Sequence, residues 1–122
     1  MKCIRSEIIG HGHFLPEKVL TNDDMAKLVD TNDEWISTRT GIKSRHIAAK
    51  DEYTSDLACK AAQMALKTAG ISAEEIDVVV LATVTPDKTT PATSAKISAL
   101  LGVKPGTPTF DISAACSGFV YA

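Results

Sequence analysis

From Asp77 to Val84 the chain runs Asp-Val-Val-Val-Leu-Ala-Thr-Val, an apolar, β-branched stretch without period-two alternation. A strand with one wet face alternates; a strand covered by helices on both faces, as in a parallel sheet, does not. The stretch therefore predicts an α/β sheet. Helix signals flank it. Thr54-Ser55-Asp56 opens the clearest helix, in which Leu57, Ala61, Met64, Ala65 and Thr68 recur at three- and four-residue steps before Gly70 stops it. Thr90-Pro91 sets a cap residue before a proline at the first helical position, after which Ile97, Leu100 and Leu101 face inward until Gly102. Lys104 to Pro108 is a Pro/Gly loop, and Thr109 to Ile112 reads as a second strand.

Upstream, Glu7 to Phe14 begins with Ile8 and Ile9 and slides into Gly10, Gly12 and Pro16, as a strand entering a loop does. Thr21-Asn22-Asp23-Asp24 caps a short helix through Val29, with its acids in the first turn. Thr31-Asn32-Asp33-Glu34 repeats the signal ahead of Trp35 to Arg39, and Gly41 supplies a stop. Arg45 to Ala48 reads as a short strand or a turn. The predicted order is β-α-α-(β)-α-β-α-β-(α), with no repeat, low-complexity tract or linker.

Composition narrows the partners. The 122 residues, 44% hydrophobic and 23% charged, have the length and balance of one globular domain. A net charge of −2 gives no basic footprint for nucleic-acid phosphates. Met1 to Glu7 lacks the apolar core of a signal peptide, and the run from Val78 to Ala82 is too short to span a bilayer, so no membrane role is expected. Cys3, Cys59 and Cys116 are odd in number, far apart and free of any C-x-x-C pair, which fits a reducing, cytoplasmic setting. His11 and His13 have no third ligand type nearby, so no metal is expected. Gly10-x-Gly12 lacks the third glycine of a dinucleotide loop, and Asp23-Asp24 and Asp33-Glu34 are explained by helix electrostatics.

Cys116 is the chain's most reactive candidate. It follows the strand Thr109 to Ile112 in a run of tiny residues, Ser113, Ala114, Ala115, Ser117 and Gly118, that leaves room for a tight strand-to-helix corner. If Cys116 opens a helix, unpaired backbone N–H groups and the dipole favour its thiolate. A free cysteine is also among the most buried residue types, so the local pattern alone leaves nucleophile and core hydrophobe both open. Cys59, on the apolar stretch of the long helix, reads as packing.

Three segments, taken together, resemble one family: Asn32-Asp33-Glu34-Trp35-Ile36 through Thr38-Arg39-Thr40-Gly41-Ile42 with Arg45-His46-Ile47-Ala48; the strand Val78 to Thr83; and Ala114-Ala115-Cys116-Ser117-Gly118-Phe119. From about Ile8 to Ala122 the chain resembles β-ketoacyl-acyl-carrier-protein synthase III, the initiating condensing enzyme of fatty acid synthesis. The resemblance implies a thiolase-like fold, a layered α-β-α unit with a mixed sheet, the first of two similar halves. It makes residues 1–122 an N-terminal half-domain ending shortly after the nucleophile corner, with the second half absent. Such a chain is expected to be inactive alone and to expose an apolar face that needs the missing half.

By the same resemblance Cys116 takes the acyl group of acetyl-CoA or another short acyl-CoA, and a carbanion released by decarboxylation of malonyl-acyl-carrier protein then removes it. The family's histidine and asparagine fall in the second half; His11, His13 and His46 are no substitutes. Trp35 aligns with the residue that stacks on the adenine of coenzyme A and Arg39 with a basic group near its phosphates. The physics agrees, since base stacking on an aromatic ring is worth about 1–3 kcal/mol and a guanidinium at i+4 shares the helix face. Thr31 fits the adenine edge and a helix cap equally. Thr90 occupies the place from which the loop reaches the acyl pocket of a partner subunit, which implies a homodimer. No cofactor beyond the acyl-CoA substrate is implied. Other thiolase-superfamily enzymes share a cysteine at this corner, but the Trp35 to Gly41 segment argues against them; a non-catalytic coenzyme A-binding or assembly fragment is the alternative of a different class, and a cysteine protease a third.

Overall fold

The structure is a computed structural model that describes residues 5–122; Met1 to Ile4, and with them Cys3 and most of the stretch weighed against a signal peptide, lie outside the described residues. Two compact units emerge, Leu15–Glu52 and a second comprising the described residues up to Phe14 with Tyr53–Ala122.

In the unit Leu15–Glu52, β1 (Lys18–Thr21) leads directly into α1 (Asn22–Ala26), followed by α2 (Asp33–Thr40) and β2 (Ser44–Ile47). The strands pair antiparallel, Lys18 opposite Ile47 and Thr21 opposite Ser44. Thr21 caps α1 through a reciprocal box with Asp24: each side chain accepts from the other's backbone amide, at 3.2 and 3.1 Å. Hydrogen bonds from the Lys27 ammonium, then from Thr21, hold the exposed Asp24 carboxyl well below the usual carboxylate range. The helix stops at Ala26, short of the expected Val29, where Lys27 and Leu28 donate three residues back, to Asp24 and Met25, and tighten the chain out of the four-residue helical pattern. Asn32 caps α2 by accepting from the Trp35 amide at 2.7 Å. Gly41 ends it at φ 71°, a left-handed conformation that costs glycine little. Arg45 to Ala48, left between strand and turn by the sequence, is strand as far as Ile47.

The second unit contains α3 (Thr54–Ala69), β3 (Val79–Ala82), α4 (Thr93–Leu101), β4 (Thr109–Ile112) and the short α5 (Gly118–Tyr121), with single 3-10 turns at Ala73–Glu75 and Ala115–Ser117. β3 and β4 pair in parallel, Val79 opposite Thr109 and Ala82 opposite Ile112, with α4 as the crossover. The helix α4 packs on both strands and on α3. The parallel pairing matches the unalternating run, but Val79 to Leu81 are only half-buried, so that run carries more apolar surface than the described residues cover.

The apolar phase of α3 follows the expected one in part, with Leu57, Ala61 and Ala65 half-buried. Ser55 and Cys59 are buried, whereas Met64 and Thr68 face out. The Ala61 and Ala65 side of the helix meets Gly10 and Gly12 instead of the sheet. A Cβ at Gly12 would stand 2.1 Å from the Ala61 carbonyl oxygen and 2.5 Å from the Ala65 amide nitrogen. Helix backbone cannot step aside, so Gly12→Ala is expected to cost about 2–3 kcal/mol, read as a lower urea midpoint. The two glycines thus serve close approach of chain to helix. Ile8 and Ile9 form no strand; they are exposed and border an apolar groove of about 480 Å³ that Val78 to Leu81 also line. The first strand among the described residues is instead Lys18–Thr21.

At the start of α4 the expected cap also fails. Thr90 and Pro91 lie outside the helix, which begins at Thr93 after Ala92. The first-turn amides of Thr93 and Ser94 donate to Asp111 Oδ2 and Oδ1 of β4, both at 2.8 Å, so a carboxylate remote in sequence does the capping. Ile97 is buried as predicted, Leu101 is half-buried and Leu100 faces solvent. Large apolar side chains remain exposed at the end of the unit, Phe119 at 92% and Val120 at 79%.

Candidate active site

The corner at Cys116 is assembled from the ends of the two parallel strands. After β4, the chain reaches Ala115 at φ 45°, a left-handed conformation that costs a non-glycine residue about 1–3 kcal/mol and concentrates at functional sites. Cys116 follows in the 3-10 turn, where the Ser117 amide donates to the Ala114 carbonyl at 3.0 Å. The thiol is exposed. It therefore precedes α5 rather than opening a helix, which starts at Gly118. Gly118 is buried against β3: a Cβ there would sit 3.1 Å from that of Ala82, so the missing side chain lets α5 and its preceding turn lie at the carboxyl end of the strands. Ligands of open α/β sheets gather at that end. Cys59 is the opposite case, a buried thiol that burial, and then the charge of Asp56, push above the ordinary value.

Two carboxylates brace the surroundings. Asp111, four residues before Ala115, holds the start of α4; burial raises its carboxyl, but hydrogen bonds from Ser94 and the Thr93 amide outweigh this and leave it below the usual range. Asp87 accepts from the Ser55 hydroxyl at 2.6 Å, the Ser55 amide at 2.9 Å and the Lys96 ammonium at 2.9 Å, while its own amide donates to Thr93 Oγ1. Burial pushes this carboxyl up as well, and Ser55 and Lys96 bring it below the usual range. Thr54 donates to the Thr85 carbonyl at 2.6 Å. The loop that carries exposed Thr90, and its cis bond to Pro91, is thus tied down at Thr85 and Asp87.

Trp35 and Arg39 belong to the other unit, on one face of α2. The Arg39 guanidinium lies 4.6 Å from the Trp35 ring centroid, a cation–π contact that still leaves the tryptophan 54% exposed. Beside the ring is a pocket of about 550 Å³ bordered by Met25, Val29, Thr31, Asn32, Trp35 and Ile36. Thr31 does not cap α2, since Asn32 does; its Oγ1 is buried beside the ring with no hydrogen-bond partner among the described residues. Among the described residues no group of three His, Cys, Asp or Glu side chains is placed to hold a metal ion, and no helix is long and apolar enough to cross a membrane. The sequence reading overlooked the bracing residues Asp111 and Asp87. A signal existed for the first: a carboxylate in the middle of the apolar strand Thr-Phe-Asp-Ile needs a partner when it is buried.

No protein-family model matches the chain. Among curated proteins it is 60% identical over 119 residues to the β-ketoacyl-(acyl-carrier-protein) synthase III of Rhodospirillum centenum, a match covering 98% of this chain and 36% of that protein. The solved structure of 3-oxoacyl-(acyl-carrier-protein) synthase III from Aquifex aeolicus superposes with a TM-score of 0.86 at 56% identity, covering 94% of this chain and 37% of that one. The priming β-ketosynthase of the R1128 polyketide pathway gives 0.85 at 39% identity, covering 93% and 34%. The chain spans just over a third of the length of the curated relatives it matches. Its α/β architecture is that of these thiolase-like enzymes, and sequence and fold together make the chain a portion of the β-ketoacyl-(acyl-carrier-protein) synthase III family.

Proposed function

We propose that the chain is the nucleophile-bearing part of a cytoplasmic condensing enzyme that starts acyl-chain synthesis. The observation that carries this reading is the exposed thiol of Cys116 on a strained corner at the carboxyl ends of β3 and β4. The Cys116 thiolate attacks the thioester carbonyl of acetyl-CoA or another short acyl-CoA; the carbon–sulfur bond to coenzyme A breaks and its thiolate leaves, taking up a proton. Malonyl-acyl-carrier protein then loses carbon dioxide, its carbanion attacks the acyl-enzyme carbonyl, and Cys116 departs as thiolate, giving 3-oxoacyl-acyl-carrier protein. Trp35 and Arg39 hold the adenine and phosphates of coenzyme A, with Thr31 at the adenine edge. The condensation step draws on a second half, and the complete enzyme is a homodimer with no cofactor beyond its acyl-CoA substrate.

Intact-mass analysis after addition of acetyl-CoA, with and without the complementary half, tests the reading. An acetyl increment that peptide mapping assigns to Cys116 supports it; an increment on Cys59, or binding of acetyl-CoA without any increment, refutes it in favour of a coenzyme-binding fragment. Thr90 bears on primer choice. In the complete enzyme Thr90→Phe is expected to lower the preference for longer or branched acyl-CoA over acetyl-CoA by about tenfold, measured by direct competition of the two thioesters.

A further inference from the structure

The helix α2 carries the Trp35–Arg39 pair, yet none of its residues is buried. Apolar burial, the usual source of helix stability in proteins, is therefore not what holds it. A polar hub does. Asn22, 2% exposed at the start of α1, donates its two Nδ2 protons to Asp33 Oδ1 at 2.7 Å and the Ile42 carbonyl at 2.8 Å, with Ser37 Oγ a longer shared acceptor at 3.3 Å. Its Oδ1 accepts from Arg45 Nη2 at 2.7 Å, and Arg45 Nη1 reaches the Leu20 carbonyl at 3.3 Å. One amide thus grips the first turn of α2, its middle and the chain just past Gly41, and links them to both strands of the unit. Ser37 adds a bond to Asp33 at 3.0 Å, and Lys43 one to Ser37 at 2.8 Å. Hydrogen bonds from Asn22, then from Ser37, hold the Asp33 carboxyl below its ordinary range. Asp33 and Ser37 are offset by two positions from Trp35 and Arg39, about 200° around a helix, so the hub and the pair occupy opposite faces.

We propose that Asn22 is the positioning residue of the Trp35–Arg39 platform: its buried amide fixes α2 from behind, and coenzyme A affinity depends on it although it touches no ligand. The inference rests on the reading of Trp35 and Arg39 as the coenzyme A handle. Trp35 is the chain's only tryptophan, so intrinsic fluorescence reports on the platform alone.

The test compares wild type, Asn22→Asp, Asp33→Asn and the double swap, each fused to a tryptophan-free solubility tag. Coenzyme A is titrated by Trp35 quenching, and Trp35 anisotropy is read well below the unfolding midpoint. Asn22→Asp removes the donors and faces Asp33 with a second carboxylate; affinity is expected to fall about tenfold or more, with lower anisotropy. The double swap restores a carboxylate–amide pair in the reverse sense and should recover most of both, which a general loss of stability would not. A folded Asn22→Asp protein with wild-type affinity and anisotropy overturns the inference, as does a swap that recovers neither. If Asn22→Asp fails to fold, Asn22→Ser, which retains one donor, takes its place under the same two criteria. Wild type that ignores coenzyme A sinks the handle reading instead, and anisotropy across the variants then decides the role of Asn22.

Discussion

Cys116→Ala is expected to abolish the acetyl adduct formed from acetyl-CoA, a loss of at least about three orders of magnitude in transfer rate, while leaving the fold intact. The size follows from the chemistry: an alanine methyl has no lone pair to attack a thioester. The selectivity follows from the structure. Cys59 is buried and its thiol is pushed above the ordinary value, which holds it protonated and out of reach. Cys116 is exposed, so its truncation removes little packing and should move stability by less than about 0.5 kcal/mol. Intact mass with matched circular dichroism reads both quantities. Adduct formation that survives Cys116→Ala in a folded chain would end the nucleophile assignment.

What the sequence made legible is mostly what neighbouring residues decide. Thr21 and Asn32 cap their helices within three residues, and Gly41, Gly70 and Gly102 stop theirs in left-handed conformations, so short-range chemistry alone placed these boundaries. The strand Thr109–Ile112 and the parallel β3 were legible because β-branched runs have few other homes. The errors share a different cause. The α3 face was legible only in part: Leu57, Ala61 and Ala65 are half-buried, the last two against Gly10 and Gly12, but Met64 and Thr68 face out and the buried positions are Ser55 and Cys59. The helix α4 starts late because its cap arrives from Asp111, and neither Thr90 nor Pro91 announces that. Likewise Trp35 and Arg39 stood out by type and spacing, whereas Asn22, an ordinary residue at a helix start, shows its reach only when Asp33, Ile42 and Arg45 are folded around it.

Asp111→Ala is expected to destabilise the second unit by about 3 kcal/mol, the largest effect on stability predicted for this chain. The carboxylate accepts from the amides of Thr93 and Ser94, residues 2% and 0% exposed, and its removal strands two buried donors at once. A buried unsatisfied donor costs about 1–3 kcal/mol, and partial hydration of the space vacated by the carboxylate keeps the sum toward the lower end. Asp111→Asn keeps one acceptor oxygen and should cost about half as much. The pH dependence carries a matching signature. Because hydrogen bonds overcome burial and set the folded carboxyl below the unfolded one, the stabilisation is fully present above about pH 4 and is lost as pH falls through the lower folded value. Urea midpoints measured from pH 7 downward should therefore decline less steeply for Asp111→Ala than for wild type. The same bonds hold α4 against the strand that leads into Ala115 and Cys116, so a variant that remains folded should also acetylate Cys116 more slowly. Equal urea midpoints for wild type and Asp111→Ala would mean that solvent, not this carboxylate, satisfies the first turn of α4.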